Sequence, residues 1–193
     1  MPRVSESEEI TIMKKTANIL LPFAFIAMLL VSCATTAAVN ETVVVSSDAS
    51  GRLMLEKRQE EGMMAREDRL FFERNGQQNL IFESEGRAVE QVLPADLDGD
   101  GSNEILIVME LGGSGDFREL ALLQAKDGRY QQVWLETGFS AGKITVTTDA
   151  KNKKLIVIDY FTDDEPAKEA RAIYAFDGSN VTLLQTTPVE TGG

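Results

Sequence analysis

The sequence predicts an all-β protein made of three four-stranded antiparallel repeats, and three observations lead to that prediction. Past residue 42 the apolar runs are short, rich in β-branched and aromatic residues, and separated by turn residues, which is typical of strands. Outside residues 19–31, no stretch long enough to form a helix shows the apolar spacing of one. Three Asn-Gly or Asp-Gly pairs, which favour tight hairpin turns, recur along the chain at Asn75-Gly76, Asp127-Gly128 and Asp177-Gly178.

The spacing of these turns defines the repeat. An apolar run begins 23 residues before the glycine of each turn, at Leu53, Ile105 and Leu155. A further apolar run precedes each unit, at 43–45, 88–93 and 144–147. From one turn glycine to the next the period is 52 residues and then 50. Each unit is therefore predicted to form a four-stranded meander, as in a propeller blade.

Three such units leave the closure of the fold open, because closed propellers typically have about four to eight blades. The chain is expected to form a small closed barrel or sandwich, a partial propeller, or a half-ring completed by a second copy in a homo-oligomer. Residues 105–109 and 155–158 are apolar at every position. These second strands are therefore predicted to be interior strands covered on both faces.

The N-terminal region predicts export. Residues 19–31 are almost wholly apolar and follow Lys14-Lys15, as in a signal peptide, and the run is short for a membrane span. Residues 1–12 are acidic where such a segment should be basic, so Met13 is the expected start of synthesis. We interpret residues 1–32 as the signal peptide.

The end of this apolar run, Leu30-Val31-Ser32-Cys33, resembles a bacterial lipobox. The resemblance implies cleavage before Cys33 and lipidation of its thiol, and Ala34 after it implies the outer membrane in a Gram-negative host. The alternative is an ordinary signal peptide that happens to contain a cysteine. We expect residues 33–41 to be the lipidated cysteine and its tether, 42–188 the repeat domain and 189–193 a disordered tail.

One motif predicts a metal site. Residues 96–104 read DLDGDGSNE, with carboxylates at alternate positions and a glycine sixth, where a sharp turn folds them inward. Closely packed carboxylates repel one another unless a cation lies between them. The predicted ligands of one Ca²⁺ are the side chains of Asp96, Asp98, Asp100 and Glu104 and the carbonyl of Ser102. The alternative is an Asp-rich turn without metal.

The motif differs from an EF-hand, which needs a glutamate at its twelfth position, where this chain has Ile107. Residues 96–108, DLDGDGSNEILIV, resemble instead the FG-GAP and VCBS repeats, which are calcium-binding propeller blades. The resemblance covers one unit of three. The corresponding turns at 46–51 and 147–154 lack the ligands, and the second has lysines in their place, so we expect no calcium there.

Composition excludes several functions. The net charge is −12, which argues against nucleic-acid binding, and the chain has no histidine and one cysteine. The only ligands left for a metal are oxygens, which favour hard cations. Residues 163–165 offer a carboxylate pair of the kind used in glycoside hydrolysis, although a solvated turn is the plainer interpretation.

We therefore expect a non-enzymatic, calcium-stabilised envelope lipoprotein whose repeat domain binds a protein or glycan. The loops at 58–67, 111–117 and 160–169 are the longest and most varied, which favours them as the binding face. One alternative is an accessory subunit of an envelope assembly or secretion complex. A less favoured alternative is a glycan hydrolase.

Overall fold

The computed structural model describes residues 39–59, 67–112 and 116–189. The predicted signal peptide, Cys33, residues 34–38 of the tether and residues 190–193 of the predicted tail lie outside this range. So do residues 60–66 and 113–115 of two of the predicted binding loops.

The described residues form strands and no helix, which confirms the all-β prediction. No helix in this part of the chain is therefore long and apolar enough to cross a membrane. The strands are β1 (Val39–Asp48), β2 (Gly51–Arg58), β3 (Arg69–Arg74), β4 (Gln77–Glu83), β5 (Ala88–Ala95), β6 (Glu104–Glu110), β7 (Phe117–Lys126), β8 (Arg129–Thr148), β9 (Lys154–Phe161), β10 (Glu169–Phe176) and β11 (Val181–Pro188). Residues 39–41, predicted as the end of the tether, are the start of β1.

The strands form a four-stranded sheet (β1 to β4) and a seven-stranded sheet (β5 to β11), and within each sheet every strand pairs antiparallel with its neighbours in sequence. The first unit is thus the predicted meander. The prediction of three separate four-stranded units is wrong, because the second and third share β8. The first half of β8 pairs with β7 and its second half with β9.

A continuous β8 replaces the predicted break between the second and third units. Gly138 adopts a φ of 92°, and the register shifts between Ser140 and Lys143, so the strand bends without ending. A Cβ at Gly142 would overlap the carbonyl of Asp159 on β9. Glycine therefore lets β8 pass close to β9 at the point where a loop was expected.

Two of the three predicted hairpin turns have the predicted geometry. Asn75-Gly76 and Asp127-Gly128 are two-residue turns with positive φ at both positions, 54° and 75° in the first and 52° and 75° in the second. The third is a four-residue turn, 177–180, between β10 and β11. The Asp177 carboxylate accepts bonds from the Ser179 and Asn180 backbone N–H groups and so stabilises this longer turn.

The core lies on both sides of β6, which confirms that this strand is interior. Leu106 and Val108 point into a cluster shared with β9 and β10, and Ile105 and Ile107 into a cluster shared with the four-stranded sheet. The side chains of Leu106 and Ile107 are fully buried. In β9, residues 156–158 are also buried. The successive units therefore pack face to face, with β5 to β7 in the middle.

Because the strands form a meander, alternate connections between β1 and β8 lie at the same end of the sheets. Near Ser140, which pairs with both Phe117 on β7 and Phe161 on β9, β8 reverses direction, so the connections after β8 and β10 return to that end. One end, called the turn rim here, holds the short turns. They are the connections at 49–50, 75–76, 96–103, 127–128, 149–153 and 177–180.

Candidate metal centre

The predicted metal loop lies on the turn rim and joins β5 to β6. Ala95 and Leu97 at its start are 6% and 1% exposed, so the core anchors the loop where it leaves β5. Gly99 and Gly101 have φ values of 82° and 91°, which side chains with a Cβ rarely adopt. The two glycines let the chain turn sharply enough to return to β6 at Glu104.

The aspartates first stabilise the turn itself. Asp96 accepts bonds from the N–H groups of Gly99 and Gly101, at 2.8 and 3.2 Å. Asp98 accepts one from Asp100 N–H at 3.0 Å, and Asp100 one from Ser102 N–H at 2.6 Å. These short-range bonds fold the side chains toward the inside of the loop.

Three of the five predicted ligands converge. Asp96, Asp98 and Glu104 each offer a carboxylate oxygen, and these oxygens lie within 4.8 Å of one another. Glu104 is only 1% exposed, and its Oε2 accepts a 2.8 Å bond from Leu97 N–H. Asp100 and Ser102 are exposed and outside this group, so their ligation stays a prediction. The acidic cluster as it stands could hold a metal ion.

The surroundings of Glu104 disfavour the charged form of its carboxyl group. Burial raises the pKa of its carboxyl, the Leu97 N–H opposes that shift, and the charges of Asp98 and Asp100 raise the pKa further. A positive ion among these oxygens would remove the repulsion. The donor set is wholly oxygen, which suits Ca²⁺ or Mg²⁺ better than softer metals.

Two residues from later strands complete the surroundings of Asp98, and the sequence did not reveal them. The Gln124 amide on β7 donates to Asp98 Oδ2 at 3.4 Å and to the Gly178 carbonyl at 3.3 Å. A Cβ at Gly178 would lie 3.0 Å from the same Asp98 oxygen. The loop is thus tied to β7 and to the turn between β10 and β11 by contacts 26 and 54 residues apart in sequence.

The equivalent turns satisfy their aspartates locally. Asp48 accepts bonds from the N–H groups of Ser50 and Gly51, and Asp149 from those of Lys151 and Lys153. Within the part of the chain that the structure describes, Asp96, Asp98 and Glu104 are the only group of three that could hold a metal. Residues 163–165 are exposed and form no such group there.

At the opposite end of the sheets, a buried carboxylate that sequence reasoning missed links the two sheets. Asp68 is fully buried, and its oxygens accept bonds from the N–H of Arg58 on β2 at 3.0 Å and of Val89 on β5 at 2.8 Å. The backbone N–H of Asp68 in turn donates to the Ser84 hydroxyl at 2.9 Å. Every bond here is structural, because each oxygen of Asp68 satisfies a backbone donor.

No protein-family model matches the chain, and no curated protein matches it either. The likeness to FG-GAP and VCBS repeats therefore stays a hypothesis supported by residues 96–108.

Proposed function

We propose that the chain is a calcium-stabilised bacterial lipoprotein, anchored to the outer membrane, whose repeat domain binds a protein or glycan partner without catalysing a reaction. The observation that supports it most is the convergence of Asp96, Asp98 and Glu104 at the turn between two core strands. The core clusters on both faces of β6 also agree with a propeller-like relative of FG-GAP and VCBS repeats.

Calcium is the preferred ion because of the ligand chemistry and the expected compartment. Ca²⁺ takes about six to eight oxygen ligands in flexible geometry. The three converging carboxylates, with the Asp100 carboxylate, the Ser102 carbonyl and water, would supply them. Extracellular modules bind calcium with Kd near 0.1–1 mM, roughly the range an exported domain would need.

The anchor follows from residues 30–33. An exported chain whose cysteine carries two or more acyl chains is held on a membrane stably, whereas one chain is marginal. The lipid would position the domain at the membrane surface through the short tether. Ala34 would favour the outer membrane in a Gram-negative host.

Thermal melting with calcium and with chelator tests the metal site. An ion bound only by the folded state stabilises it by about 2.7 kcal/mol at 100 times its Kd. We expect the wild type to melt higher in calcium, and Asp98→Ala to lose most of that increase. Asp163→Ala, which removes an exposed aspartate far along the chain, should keep it. Equal wild-type melting temperatures in calcium and chelator would contradict the metal site.

Metabolic labelling with a fatty-acid probe tests the anchor. Cys33→Ser should abolish lipid labelling and release the protein from the membrane pellet, because the thiol is the expected acylation site. A labelled, membrane-bound Cys33→Ser protein would show that the lipobox interpretation is wrong. A matched Ser32→Ala variant should stay labelled, since it keeps a small residue before the cysteine.

A further inference from the structure

A cleft of about 890 Å³ opens on the turn rim between the two sheets. Its apolar wall includes Leu53, Phe72, Ile105 and Tyr130. The rings of Phe72 and Tyr130 lie 5.7 Å apart, centroid to centroid, and bring the two sheets together at this wall. Ligand pockets typically enclose about 300–1,000 Å³ and combine apolar and aromatic walls with a few polar groups.

The polar lining of the cleft includes two arginine side chains that have no carboxylate partner among the described residues. Arg74 ends β3 and Arg129 begins β8, and both line the cleft. Neither side chain forms an ion pair or hydrogen bond with a residue in the described part of the chain. Other arginines there, such as Arg52, Arg118 and Arg171, pair with carboxylates. In a chain of net charge −12, two uncompensated guanidinium groups at one cleft favour an anionic ligand.

Neutral donors accompany them. Asn79 and Asn103 also line the cleft, and their side-chain amides bond to no residue in the ranges that the structure describes. The one carboxylate in the lining, Asp48, accepts bonds from Ser50 and Gly51 of its own turn. The cleft thus offers guanidinium groups for an acid, amides for hydroxyls and aromatic rings for an apolar face.

We propose that this cleft binds an acidic oligosaccharide, with Arg74 and Arg129 on its acid groups. A sugar ring presents both an apolar face and several hydroxyls, which matches aromatic and amide groups side by side. An acidic peptide would use the arginines but leave the amides with less to recognise. The inference rests on the proposed function only in taking the domain to be a binding module.

The metal loop forms part of the same cleft, because Gly101, Ser102 and Asn103 line it. Without a cation, the carboxylates behind this wall repel an anion, and with calcium that repulsion falls. Calcium should therefore strengthen binding of the acidic sugar, and added salt should weaken it.

The test is an array of short acidic and neutral oligosaccharides, with a polyglutamate peptide beside them, followed by titration of the best binder in calcium and in chelator. We expect an acidic sugar to bind. The double variant Arg74→Gln/Arg129→Gln should weaken it about 10-fold or more, since charge-assisted hydrogen bonds are lost. Arg52→Gln/Lys126→Gln, the same change of charge outside the cleft lining, should bind as wild type does.

Three results would overturn the inference: no acidic sugar binds, both double variants weaken binding equally, or polyglutamate binds more tightly than every sugar. If any of these results comes with a normal melting increase in calcium, the proposed metal site stands and only the proposed sugar binding is contradicted. If sugar binding depends on the arginines but calcium gives no melting increase, the sugar binding stands and the metal site is contradicted. Circular dichroism of both double variants checks that neither is unfolded.

Discussion

The turn between β5 and β6 and the turn between β8 and β9 each join the first two strands of a unit, yet they differ in charge and in depth. Asp149, in the second turn, accepts two backbone N–H bonds on Oδ1, and both donors belong to lysines, Lys151 and Lys153. Asp96 and Asp98 also accept backbone bonds within their turn, Asp96 on both carboxylate oxygens, but an oxygen of each still lies within 4.8 Å of one on buried Glu104. The two turns thus share local Asp bonds and differ in that only the first brings three carboxylates together, one of them buried.

Glu104→Gln is expected to have the largest effect, because it removes the buried carboxylate that distinguishes the turn between β5 and β6 from the turn between β8 and β9. In calcium the variant should lose most of the metal stabilisation, up to about 2.7 kcal/mol at 100 times Kd. In chelator it should be more stable than wild type near neutral pH, because burial penalises the charged carboxylate, while the glutamine oxygen can still accept the Leu97 N–H.

The pH dependence gives this prediction its sign. The folded-state pKa of Glu104 is raised above its ordinary value of 4.5, so the metal-free fold favours the protonated acid. That contribution is present below the ordinary pKa and is lost as pH rises through the raised one. We would measure melting temperatures in chelator from about pH 4 to about pH 8, a range that covers the titration of a carboxyl with a raised pKa. As the pH rises, the melting temperature of the wild type should fall relative to that of Glu104→Gln. Parallel curves would contradict the burial argument.

Gly178→Ala is expected to have an intermediate effect and tests whether the metal loop depends on the third unit. A left-handed alanine costs roughly 1–2 kcal/mol, and the new Cβ would press on Asp98 Oδ2. Gly128→Ala is the matched control, since its φ is also positive, 75°, but nothing lies within 4 Å of the added Cβ. Calcium titration should show weaker binding in Gly178→Ala alone. Equal affinities would mean that Asp98 is independent of the neighbouring turn.

Asp149→Ala is expected to have the smallest effect. It removes two exposed turn bonds, so we expect a loss of about 0.5–1 kcal/mol, the same in calcium and in chelator. Chemical denaturation in both conditions measures it. A calcium-dependent loss would place a second ion at this turn and weaken the contrast between the two turns.

Local features were predictable because their causes are close in sequence. Asn75-Gly76 and Asp127-Gly128 form the predicted turns, since both residues of each pair tolerate positive φ. Asp96 and Asp98 converge with Glu104 because alternate positions of a short loop with glycines must point inward. The interior position of β6 followed from its unbroken apolar run.

Contacts between distant segments were decided only in the tertiary structure. Nothing near residues 136–143 marked β8 as continuous, because its course depends on pairing with β7 and β9 on either side. Gln124 meets Asp98, and Asp68 meets Val89, only once separate strands are brought together. The cleft likewise exists only between two packed sheets. The geometry of turns thus depends on neighbouring residues and can be predicted from them. Strand continuity and contacts between sheets depend on the packing of distant segments, which no local sequence pattern determines.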